Sequence, residues 1–178
     1  MKLPQGLLKL LVRTLDRVLT PAAPPRTPAP TRRPPAAPPV PGGEGYPGDF
    51  LGEPTLEYAP HEGRLPDPGE VVWTWVPYEE DHTRGKDRPV LIIGRDGRWL
   101  LGLGLTSQDH DRDAAQEAEE GRFWVDIGSW DDSGRVSEVR VNRILRVDPD
   151  RVRRVAAHLD RQRFDRVAAG VRRYLHDR

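Results

Sequence analysis

Two side chains six residues apart have the chemistry to handle phosphate and protons. His82 carries an imidazole that titrates near neutrality, which suits proton transfer. Arg88 carries a guanidinium that stays charged and grips two phosphate oxygens at once. Arg84 lies between them. Each has a plain reading too: a solvated loop histidine, and strand-edge arginines in surface salt bridges. Thr106-Ser107, taken by residue type alone, marks a turn. Trp73, Trp75, Trp124 and Trp130 offer faces on which bases can stack. Trp73 and Trp75 share one face of a strand, where core packing competes for them. Trp130, in a Gly-Ser-Trp-Asp-Asp loop, is the best stacking candidate. His110 stands among Asp109, Asp111 and Asp113, which invites a metal ion, but nothing completes the shell and the run reads as a solvated acidic loop.

The elements that must position these groups are mostly strands. Glu70 to Pro77 (EVVWTWVP) is rich in β-branched and aromatic residues. Arg88 to Arg95 and Arg98 to Thr106 make a second and a third strand, joined at Asp96-Gly97, a strong hairpin signal. Phe123 to Ile127 is a fourth, and Val136 to Val147 supplies a fifth with room for a sixth. Asp148-Pro149 reads as a helix cap and first helical residue. The helix that follows turns Val152, Val155, Ala156 and Leu159 inward. A second helix, Gln162 to His176, does the same with Phe164, Val167, Val171 and Leu175. Short antiparallel strands followed by terminal helices predict a mainly β fold, a small β-barrel with helical cover.

Composition divides the chain. Only 36% of its 178 residues are hydrophobic and 19 are proline, too little apolar and too much proline for a chain packed end to end. The formal net charge of zero conceals an arm, residues 1–47, that carries seven Lys/Arg against Asp16 and Glu44. The rest is mildly acidic, so phosphate contacts there must come from a local cluster of cations. Residues 1–20 place Leu8, Leu11, Leu15, Val18 and Leu19 at helical spacing among basic residues, the pattern of a short amphipathic helix. It would dock on the chain's own body or a partner, or lie on a membrane surface. Residues 21–56 form a Pro/Gly-rich linker, with eleven prolines between Pro21 and Pro47. Extended at about 3.1 Å per residue, the proline-rich part reaches on the order of 80 Å. No apolar run approaches the roughly 20 residues that span a bilayer. The absence of cysteine excludes disulfides and thiolate metal sites and is compatible with a reducing cytosol.

Residues 57–178 also carry a family pattern. Pro68 to Ile93 reads PGEVVWTWVPYEEDHTRGKDRPVLII: a Gly-Glu-hydrophobic-Trp strand, a polar loop, then Arg-Pro-Val-Leu. Leu103 to Gln108 reads LGLTSQ, and Val139 to Asp148 reads VRVNRILRVD. In this order the three segments resemble the PemK/MazF family of toxins from type II toxin–antitoxin systems. Residues 1–56 lie outside the resemblance.

The resemblance implies an SH3-like barrel, usually a homodimer. It implies metal-independent cleavage of single-stranded RNA with no cofactor, in which the 2′-hydroxyl attacks the adjacent phosphorus and leaves a cyclic phosphate and a 5′-hydroxyl. Such a site must take up a proton, stabilise charge on the phosphoryl oxygens and protonate the leaving oxygen. By the same resemblance Arg88 stabilises the phosphate, Thr106 bonds it with help from Ser107, and His82 sits where some members have a histidine. Arg140 matches an arginine that precedes an acidic residue by two, but here that second position is Asn142, which cannot accept a proton. Gln108, Asn142, Trp130 and Arg84 complete the expected substrate contacts.

The implied partners are single-stranded RNA and a cognate antitoxin, in the cytoplasm or at the inner face of the membrane through residues 1–20. The rival expectation is a non-catalytic nucleic-acid- or protein-binding module on the same barrel, for which Asn142 and the long arm speak.

Overall fold

The computed structural model describes residues 45–63, 65–107 and 123–177. The expected amphipathic helix of residues 1–20, most of the linker, Gln108 and the His110 cluster lie outside the described residues.

Six strands form one antiparallel sheet: β1 (Glu70–Pro77), β2 (Gly85–Asp96), β3 (Trp99–Thr106), β4 (Trp124–Ser129), β5 (Val136–Val147) and β6 (Arg154–His158), in the order β4-β5-β3-β2-β1-β6. A helix, α1 (Arg161–His176), closes the chain. The fold is mainly β with a carboxy-terminal helix. The β2–β3 hairpin turns where Asp-Gly predicted. Asp96 pairs with Trp99, and of the two loop residues only Gly97 enters the left-handed region, at φ 59°.

Alternation along the strands splits the apolar residues between two faces. One cluster includes Leu91, Ile93, Leu101, Leu103, Val139 and Val141, covered by Phe164, Val167, Ala168 and Val171 of α1. Asp160 caps that helix, its side chain accepting from the Arg163 amide at 2.9 Å. The second cluster gathers Val72, Val76, Val90, Ile92, Leu100, Leu145 and Val147. Deleting a fully buried leucine from either costs roughly 2–5 kcal/mol.

Three expectations change. Val136–Val147 is one twelve-residue strand, not two. The first of the two terminal helices does not form: Asp148 caps a single 3-10 turn, Pro149–Arg151, and the chain then runs as β6. Its spacing fits a helix, but an unpaired edge of β1 lies beside it. Pairing Val72 with Val155 and Val71 with Ala157 satisfies backbone groups that the edge would leave open, and Val152 and Val155 still bury against the second cluster. Finally, the expected boundary at residue 57 falls inside a packed segment. Phe50 donates its amide to Ile144 at 2.8 Å and Glu57 to Ile93 at 2.9 Å, while Phe50, Leu56 and Tyr58 pack on the first cluster. The segment passes so close to β2 that a Cβ at Gly94 would sit 2.3 Å from the Thr55 carbonyl oxygen.

Candidate active site

Antiparallel pairing brings the candidate residues to one end of the sheet. Val90 of β2 faces Gly104 of β3, and Arg88 and Thr106 each lie two residues beyond that pair on their own strands. Residues two apart share a face, so both side chains emerge on the same side. Arg88 is flanked by Thr74 on β1, and Thr106 by Glu138 on β5. On β5 the register against β3 breaks: Leu103 faces Ile144 but Leu105 faces Val139, a bulge of several residues. A bulge resets alternation, which is how Arg140 and Arg143, three apart, line the same cavity.

That cavity is an open cleft of ≈ 280 Å³ lined by Arg88, Thr106, Arg140, Arg143, Glu79, Glu80, Trp124 and Gly104, among others. Its three arginines are not equivalent. Arg140 donates through both terminal nitrogens to Glu79, at 2.8 and 3.3 Å, and through Nε to Asn142 Oδ1 at 3.0 Å. Arg143 grips Asp49 with Nε at 2.7 Å and Nη2 at 3.3 Å. Arg88 makes no ion pair or hydrogen bond among the described residues. Its guanidinium is thus the cleft cation left for an anion. Gly104 lies in the cleft wall, where an added Cβ would meet nothing within 4 Å.

Arg88 and Thr106 also line a second concavity of ≈ 270 Å³ with Ser107, Trp130 and Arg135. Asp87, in its wall, is pushed above the usual carboxylate range by burial, although Arg153 (2.5 Å away) and Arg154 pull it down. The two hollows share Arg88, Leu105 and Thr106 in their walls, and among the described residues Arg88 is the unpaired cation of both.

Of the other expected residues, His82, Arg84 and Asn142 sit elsewhere. His82 stands edge-on to Tyr46, ring centroids 5.1 Å apart, and lines neither hollow. Arg84 lies over the Tyr78 ring at 5.6 Å. Their loop is set by Asp81, whose carboxylate accepts from Thr83 Oγ1 at 2.6 Å and the Thr83 amide at 3.0 Å; these bonds hold its carboxyl below the usual range. Asn142 does point with Arg140, but its Oδ1 also accepts from the Phe123 amide at 3.3 Å, and it lines a separate hollow with Asp49 and Phe50. Trp130 is half-buried, its Nε1 donating to Ser137 Oγ at 3.1 Å.

Sequence reasoning missed Glu79, Glu80, Arg143 and Arg135. Glu79 reaches Arg140 across 61 positions and Asp49 reaches Arg143 across 94, so no local signal marks either pair.

The family model for the PemK-like, MazF-like toxins of type II toxin–antitoxin systems matches residues 67–175. No curated protein sequence matches the chain. Among solved structures it is similar to a MazE–MazF crystal structure from Deinococcus radiodurans, at 15% identity and a TM-score of 0.43, over 63% of this chain and 97% of that one. The matched segment holds all six strands, the cleft arginines and nearly all of α1, and on it the chain belongs to the PemK-like, MazF-like toxin family of type II toxin–antitoxin systems.

Proposed function

We propose that this toxin is an endoribonuclease that cuts single-stranded RNA without a metal, by attack of a 2′-hydroxyl on the neighbouring phosphorus. The observation that carries the reading is Arg88: a cation with no partner among the described residues, which with Thr106 lines both hollows. In this reading Arg88 holds two phosphoryl oxygens and stabilises the charge that grows on them, and Thr106 bonds the same group. Asn142 cannot take the proton, and His82 is turned to Tyr46. The carboxylates lining the cleft are Glu79 and Glu80. Glu79 is engaged by Arg140, so Glu80 accepts the 2′-hydroxyl proton, and the departing 5′-oxygen takes a proton from water in the open cleft to leave as a hydroxyl. As a type II toxin the chain is held in check by a protein antitoxin, and it acts as a homodimer in the cytoplasm. Among the described residues no helix is long and apolar enough to cross a membrane.

The test is incubation of purified protein with mixed RNA in EDTA, followed by mapping of both ends. Cyclic phosphate and 5′-hydroxyl ends are expected. RNA that is bound but left uncut would sink the nuclease reading in favour of a binding module.

The Glu79–Arg140 pair makes its own prediction. Glu79→Gln releases the Arg140 fork. Glu79 is 56% exposed, so the fold should lose less than about 1 kcal/mol. Single-stranded RNA should bind several-fold more tightly, and the slope of log affinity against log salt should steepen by roughly 0.7, the value for one added phosphate contact. Filter binding at several salt concentrations reads both.

A further inference from the structure

We infer that the hollow beyond Arg88 is a nucleobase pocket, built by Trp130 and Arg135 to hold a guanine next to the phosphate that is cut. This rests on the nuclease reading for its place in the reaction, though not for the binding itself.

The pocket is preorganised. The β4–β5 loop is tied by its own side chains: Asp131 accepts from the Ser133 amide at 3.1 Å and from Ser133 Oγ at 2.5 Å, and Ser129 Oγ donates to the Asp131 carbonyl at 3.0 Å. Gly134 completes the turn at φ 70°. Arg163 of α1 donates to the Ser129 carbonyl at 2.7 Å, which pins the loop to the helix. Trp130 and Arg135 stand at the two ends of this turn. The Trp130–Ser137 bond fixes the indole, so its ring is ordered before any ligand arrives. Ordering a stacking surface in advance removes an entropic cost of binding.

The polar groups around the indole are mostly donors. Arg135 is exposed and makes no salt bridge among the described residues; its Nε leans on Ser133 Oγ at 3.4 Å, leaving both terminal nitrogens for a ligand. Ser107 adds a hydroxyl. The carboxylates nearby are spoken for, Asp131 by Ser133 and Asp87 by Arg153. A donor-rich edge selects a base with two adjacent acceptors. Guanine presents O6 and N7, which match an arginine fork; adenine replaces one acceptor with an amino donor. A hollow of ≈ 270 Å³ accommodates a purine.

The experiment compares wild type, Arg135→Ala, Arg135→Lys, Trp130→Phe and Trp130→Ala. Each is given mixed-sequence RNA for mapping of cut sites, and 2′-O-methyl decamers with one guanine or adenine, which bind but cannot be cut. The wild type should cut beside guanine and prefer the guanine decamer. Arg135→Ala should lose the guanine preference in both the decamer binding and the mapped cut sites, and Arg135→Lys should not restore it, because an ammonium has no fork. Trp130→Ala should weaken both decamers by about 5- to 150-fold, the range for one lost stacking contact. Trp130→Phe should recover most of this, and it keeps the test valid if the alanine variant melts early. Cutting with no guanine preference, or with one that Arg135→Ala leaves intact, overturns the pocket while the nuclease reading stands. Guanine-selective binding of the decamers without cutting of RNA by the wild type upholds the pocket and overturns the nuclease.

Discussion

Replacing Arg88 by alanine is expected to slow RNA cleavage by about 10²- to 10³-fold and leave the fold intact. The rate loss follows from its role. A positioned donor that meets charge developing in the transition state is typically worth that factor, and Arg140 and Arg143 cannot substitute while Glu79 and Asp49 hold them. The intact fold follows from its surroundings. Arg88 is partly exposed and has no ion-pair or hydrogen-bond partner among the described residues, so its removal orphans no carboxylate there. Such a change alters stability by no more than about 0.5 kcal/mol. Single-turnover cleavage and a melting curve on one preparation check both halves. Full activity would remove Arg88 from the site, and a low melting temperature would make it structural.

The second large effect concerns stability and distinguishes two truncations. Deleting residues 1–44 should leave the melting temperature unchanged. Deleting residues 1–56 should lower it by roughly 10 °C or more. The difference lies in the packed segment. Asp49 and Arg143 are only 18% and 12% exposed, and breaking a largely buried pair costs up to about 3–5 kcal/mol because the remaining charge has no partner. Arg146 would also lose the Gly48 and Asp49 carbonyls, which it holds at 3.1 and 3.0 Å, and the Phe50 ring it covers. Asp49→Ala alone should reproduce about 3 kcal/mol of this loss in chemical denaturation. Equal melting temperatures for the two truncations would show that the segment lies on the sheet without holding it.

What could be read from the sequence was local. The β-branched and aromatic run of β1 and the Asp-Gly turn report their own structure through residue type and spacing, as does the apolar stripe of α1. Val152, Val155, Ala156 and Leu159 misled because their spacing suits a helix, whereas the deciding term was the open edge of a strand some eighty positions earlier. Phe50 and Leu56 were hidden by the Pro/Gly-rich composition around them. The site divides in the same way. Arg88, Thr106 and Arg140 stand in recognisable motifs and share the cleft. Glu79 and Arg143 were invisible because their roles depend on partners far along the chain and, for Arg143, on a bulge that no residue type announces.

Gly104 gives the cleft a steric dial that is independent of its charge. Its backbone is not in the left-handed region, and the space above it is empty. A leucine there would project into the volume a bound phosphodiester needs, while every arginine and carboxylate around it keeps its place. A gene product that harms its host is hard to obtain in quantity. A sterically plugged Gly104→Leu chain would be a harmless surrogate with the native surface, suited to raising a partner protein, crystallising the pair, or competing with the active toxin for its inhibitor in a living cell.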